Sequence, residues 1–150
     1  MTTDDLTRLL TLDDAWKAEV RAQWLRLLDL AVWGDLKGTN LGAVSRVRKR
    51  VLEVGEKWRS VFNRRDWIPQ PREQIKSALA SVASLRDSLL LLERASKEIE
   101  VGGSDFAEFE RLLIALHQAV TGPLRTREND WANAMDRVNQ EQLQDDGPNN

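Results

Sequence analysis

The stretch from Asn40 to Arg65, NLGAVSRVRKRVLEVGEKWRSVFNRR, decides the fold class. Val44, Val47, Val51, Val54, Trp58, Val61 and Phe62 recur at three- and four-residue steps, the spacing that gathers side chains on one face of an α-helix. The same helix carries a dense basic flank. On a helical wheel Arg46, Arg50, Lys57 and Arg64 fall together on one side of the apolar stripe, while Arg48 and Arg59 lie on the other. Lys49, Arg65 and Arg72 extend the charge. From Lys37 to Arg72 there are ten Lys or Arg residues against Glu53, Glu56 and Asp66, in a chain whose net charge is -2. Charge segregated in this way marks a place for a partner.

Working outward, helical periodicity continues on both sides, and no sustained alternation calls for a strand. Before the stretch, Thr11 with Asp14 three residues later resembles a capping box opening a long helix. Leu12, Trp16, Val20, Trp24, Leu27, Leu28 and Ala31 make its apolar face, and Gly34 is expected to close it in a left-handed cap. After the stretch, Pro69 and Pro71 forbid one continuous helix, and Pro71 suits the first turn of the next. That third helix carries Ile75, Leu79, Val82, Leu85, Leu89, Leu92 and Ile99, and Gly102-Gly103 is expected to stop it. Ser104 is expected to cap a fourth helix, with Phe106, Phe109, Leu112, Leu113, Leu116 and Val120 inward. Gly122-Pro123 either kinks or breaks it, and Leu124, Trp131, Met135 and Val138 continue a weaker stripe.

The expected fold is therefore all-α: an antiparallel four-helix bundle, with a short N-terminal helix over Thr3 to Leu10 and a kinked or broken last helix. Residues 1–144 form the expected single domain and 145–150 a disordered tail. With 41% hydrophobic and 31% charged residues in 150, the composition is that of a globular chain with a core rather than a disordered one. No cysteine is present, so disulfides, thiolate metal sites and cysteine nucleophiles are excluded. No signal peptide and no membrane-length apolar run is evident, and a cytoplasmic location without membrane partners is expected.

Three uses of the basic flank are open. Arg46, Lys49, Arg50, Lys57 and Arg64 can neutralise nucleic-acid phosphates, meet an acidic protein, or stay solvated and paired with Glu53 and Glu56. No base-reading motif accompanies them, so any nucleic-acid contact is to backbone. Arg64-Arg65-Asp66-Trp67-Ile68-Pro69 sets an aromatic in a proline-stiffened connection; Arg65, Trp67 and Ile68 either form a protein interface or fold back over the bundle. Trp16, Trp24 and Trp58 are read as core, and Trp33 and Trp131 as contacts for another chain.

Paired carboxylates occur at Asp4-Asp5, Asp13-Asp14 and Asp145-Asp146, but neighbours on a helix point apart and make no acid/base dyad. There is no phosphate loop, no H-E-x-x-H pair and no nucleophile elbow, and no cofactor or metal is expected. His117 is the single histidine, and Arg111-Leu-Leu-Ile-Ala-Leu-His117 resembles, over those seven residues, the R-x(4-6)-H motif of HEPN ribonucleases. Leu112 stands where that motif commonly has a polar residue. The resemblance implies Arg111 as a stabiliser of phosphate charge and His117 as a general acid or base. The leading expectation is a non-enzymatic helical subunit or adaptor acting through protein contacts, as a hetero- or homo-oligomer. Nucleic-acid backbone binding is the alternative, and a HEPN-like ribonuclease the third reading.

Overall fold

A computed structural model describes residues 2–36, 41–62, 70–100 and 102–145. The expected contact residues Arg64, Arg65, Trp67 and Ile68, and the tail from 146 to 150, lie outside the described residues. Five helices follow in order: α1 (Thr3–Leu10), α2 (Asp14–Trp33), α3 (Leu41–Phe62), α4 (Pro71–Lys97) and α5 (Phe106–Asp145). No strand occurs among the described residues.

Helices α2 to α5 pack as a closed ring in which each neighbours the next and α5 returns to α2. Cross-links between opposite ends show that neighbours run antiparallel. Arg48 near the start of α3 reaches Ala31 at the end of α2, while the Trp16 and Phe62 rings meet at the other end with centroids 5.0 Å apart. Arg46 reaches Glu98 beyond the end of α4, Arg72 reaches Gln142, and Asp35 after α2 meets Asp105 before α5. The four-helix bundle expected from periodicity is the observed fold.

All seven stripe residues of α3 are buried, with Val47 and Val51 at 0% exposure. Gly55 lets α3 approach α2 closely, since a Cβ there would overlap the Trp24 ring. That ring stacks edge-on against Trp58 at 5.8 Å and donates its Nε1–H to the Val51 carbonyl at 2.8 Å, so its polar edge is satisfied inside the core.

The ends of the helices depart from several expectations. Thr11 does not open α2: it closes α1, its amide bonded to the Thr7 carbonyl at 2.9 Å, and Asp13 caps α2 by accepting from the Ala15 amide at 2.9 Å. The reason is Leu12, which is 5% exposed and draws the link between α1 and α2 into the core. The capping box belongs instead to α1, where Thr2 and Asp5 each accept from the other's amide at 3.2 Å. Gly34 ends α2 as expected but in extended conformation, φ -75 and ψ 164, so no left-handed cap forms. Helix α4 ends at Lys97, ahead of Gly102, because Ile99 turns inward at 5% exposure. Ser104 is not the cap of α5. Its amide donates to Asp35, and the first helical bond of α5 runs from the Phe109 amide to the Asp105 carbonyl at 2.9 Å.

Pro123 does not break α5, which is continuous to Asp145, one residue past the expected end of the domain. A proline lacks the N–H that would bond the carbonyl four residues back, here Ala119. Trp16 supplies the missing donor from α2, its Nε1–H meeting the Ala119 carbonyl at 2.7 Å. Beyond that point α1 takes over from α2 as the neighbour of α5: Arg127 and the Trp131 Nε1–H both donate to the Leu9 carbonyl.

Candidate interaction surface

The two flanks of α3 meet different surroundings. On the first, Arg46 Nε lies 2.8 Å from Glu98 Oε2 and Arg50 Nη1 lies 2.7 Å from Glu53 Oε2. Each cation of this pair is matched by a carboxylate of the same chain. Lys49 and Lys57 have no ion pair among the described residues, Lys49 being exposed and Lys57 half-buried. Arg64, the remaining member of the expected site, is outside the described residues.

On the second flank the basic residues are held by neutral groups. Arg48 Nε donates to the Ala31 carbonyl at 2.7 Å, tying α3 to the end of α2. The Arg59 guanidinium carbon lies 5.9 Å from the centroids of both the Trp24 and Trp58 rings, within cation–π range. Neither guanidinium has a carboxylate partner among the described residues. Both side chains are exposed. They are therefore held in place while no carboxylate among the described residues compensates their charge.

Large apolar side chains are also exposed on α2 and α3. Leu25 is 44% exposed, Val32 41%, Trp33 83%, Leu41 74% and Leu52 52%. Leu25 and Val32 stand seven residues apart on α2 and so share one exposed face of it, about a quarter turn round the axis from Trp24 and Ala31, which meet α3. Leu41 and Leu52 share a flank of α3 with Arg48 and Arg59, at helical steps of four, seven and eleven residues. Trp33 was expected as a contact residue and is open. Trp131 was expected to be one too, and is not: it is 1% exposed, enclosed between α5 and the end of α1, with its N–H used on Leu9. A weak amphipathic stripe after Pro123 could not distinguish a neighbour within the chain from one outside it.

The Arg111 and His117 side chains are not brought together. Six residues apart, they diverge by about 120° around the helix axis. Arg111 is bound through Nε to Glu108 Oε2 at 2.9 Å and by a second contact to Glu108 Oε1. That hydrogen bond holds the Glu108 carboxyl below its ordinary range and raises Arg111. His117 faces α4 instead, with Nδ1 2.5 Å from Glu93 Oε1 but not aligned as a hydrogen bond. Between α1 and the end of α5 a cleft of about 580 Å³ is lined by Asp5, Arg8, Asp130, Asn133 and Arg137, mixing both signs of charge. No cluster of three or more His, Asp or Glu side chains fit to hold a metal ion occurs among the described residues. No helix among them is long and apolar enough to cross a membrane.

No protein-family model matches the chain. No curated protein and no solved structure matches it either.

Proposed function

We propose that this chain is a non-catalytic, cytoplasmic helical subunit or adaptor that works by binding another protein, and that its contact surface lies on α2 and α3. One observation carries the reading. Of the eight large apolar side chains exposed among the described residues, five stand on these two helices: Leu25, Val32, Trp33, Leu41 and Leu52. Leaving such groups in water forgoes burial worth about 25 cal/mol per Å², and apolar patches on a folded surface mark binding sites. An indole at 83% exposure adds the residue type most favoured at interface hot spots.

The test compares Trp33→Ala and Leu52→Asp proteins with the native chain, each purified from the native host under mild salt with nuclease treatment. Both residues are exposed, so the unfolding midpoint should hold while a defined protein complex is lost. A complex recovered undiminished with both variants would remove the surface from consideration.

A second reading rests on Lys49 and Lys57, which no carboxylate among the described residues neutralises. It is binding of nucleic-acid backbone, with Arg46 and Arg50 exchanging their carboxylates for phosphate. Reversing Arg46, Arg50 and Lys57 to glutamate should abolish nucleic-acid retention in the same purification without nuclease, and unchanged retention would dispose of it.

A further inference from the structure

We infer that the exposed face along α2 and α3 is a docking surface for an acidic amphipathic helix of a partner protein, with Arg48 and Arg59 as its two carboxylate clamps. The inference rests on the protein-contact reading above and names the chemistry of the partner. Its apolar side chains are Leu25 and Val32 from α2 and Leu41 and Leu52 from α3, all more than 40% exposed. Its edges are basic. On α3 Arg48 and Arg59 share the flank of Leu41 and Leu52, and on α2 the exposed Arg21 lies one turn before Leu25, with Asp14, paired to Lys17, two turns further back.

Arg48 and Arg59 differ from ordinary surface cations in being already immobilised, one by the Ala31 carbonyl and the other over two indole rings. The Ala31 bond uses only Nε of Arg48, leaving both terminal amino groups of its guanidinium as donors. A carboxylate arriving there meets a planar fork that has lost its side-chain entropy in advance, the condition under which bound contacts yield affinity.

Spacing defines the occupant further. Leu41 to Leu52 and Arg48 to Arg59 are both eleven residues, about 16 Å or three turns of helix. A helix of some four turns, with an apolar stripe at three- and four-residue steps and carboxylates about 16 Å apart on its flank, matches both sets at once. A second copy bound symmetrically would set these cations against themselves, which disfavours it. Nucleic acid would engage the cations and leave the four aliphatic side chains without a role.

Two labelled synthetic peptides of about 18 residues test this, sharing one leucine stripe, the first flanked by glutamates and the second by lysines. Fluorescence anisotropy with the full chain should show saturable binding of the first and at least about tenfold weaker binding of the second. Leu52→Asp and, independently, Leu25→Asp should abolish binding with the unfolding midpoint unchanged. The Arg48→Glu, Arg59→Glu double variant should reverse the preference. Equal binding of both peptides, or binding indifferent to Leu52→Asp and Leu25→Asp, would overturn the inference. So would self-association in sedimentation that Leu52→Asp abolishes, which assigns the surface to a second copy, or displacement of the first peptide by a duplex oligonucleotide, which assigns it to phosphate. A host complex still lost with Trp33→Ala while neither peptide binds would sink the acidic-helix partner and leave the adaptor reading standing.

Discussion

Helix α3 carries two basic flanks that read alike as sequence and differ in kind as structure. Along one, Arg46 and Arg50 are answered by the carboxylates of Glu98 and Glu53. Along the other, Arg48 and Arg59 are answered by a carbonyl and by aromatic faces. A carboxylate orders a guanidinium and cancels its charge. A carbonyl or an indole orders it and leaves the charge in place for a newcomer. What distinguishes a structural cation from an available one is thus its partner, and three of these partners lie outside α3: Glu98 follows α4, while Ala31 and Trp24 belong to α2; Glu53 and Trp58 stand on α3 itself.

The largest way to break this comparison is to remove the platform under the second flank. Trp24 is 5% exposed, packs on Trp58 and closes a hydrogen bond to Val51. Trp24→Ala should cost about 3–5 kcal/mol in urea unfolding, because the cavity left against Gly55 has no Cβ to fill it. A loss under about 1 kcal/mol would mean that the core does not depend on this ring and that Arg59 is not anchored by it.

A smaller test separates the flanks by salt. Arg46 and Glu98 are about half exposed, 49% and 50%. Arg46→Ala should cost only about 0.2–1 kcal/mol, fading as salt screens the pair. The bond from Arg48 to Ala31 has a neutral acceptor, so the cost of Arg48→Ala should change far less between low and high salt. Matching salt dependence for the two variants would erase the distinction drawn between the flanks.

The helices of this bundle were legible from periodicity, since burial of seven α3 side chains depends only on their spacing. Pro71 at the first turn of α4 was legible for the same local reason, its fixed φ and missing N–H. What was not legible depended on distant residues. Thr11 and Asp13 are both competent caps, and burial of Leu12 against the assembled core chose Asp13. Pro123 looked able to break α5 because the donor that spares the Ala119 carbonyl, Trp16, lies 103 residues away. The basic flank of the candidate site was visible as a stripe. The apolar side chains beside Arg48 and Arg59 were not, since Leu25, Leu41 and Leu52 become a surface only once α2 and α3 are side by side and the stripe between them is used up.

The smallest effect concerns a cation already committed to a carboxylate, as on the first flank. Arg111 hydrogen-bonds Glu108 one turn away, and that bond, with a lesser contribution from the charges of Arg111 and Arg26, holds the Glu108 carboxyl below its ordinary range. A depressed folded value means that the ionised form is favoured by folding. The stabilisation is present above the ordinary carboxylate range and is lost as pH falls through the folded value. In Arg111→Ala protein the Glu108 titration, followed by carboxyl carbon NMR, should move up toward the ordinary range. The stability difference between the two proteins should be present at neutral pH and close in acid. An unmoved Glu108 midpoint would show that Arg111 is not spent on this pair, and would return its charge to the solvent-facing side of α5 as an available cation.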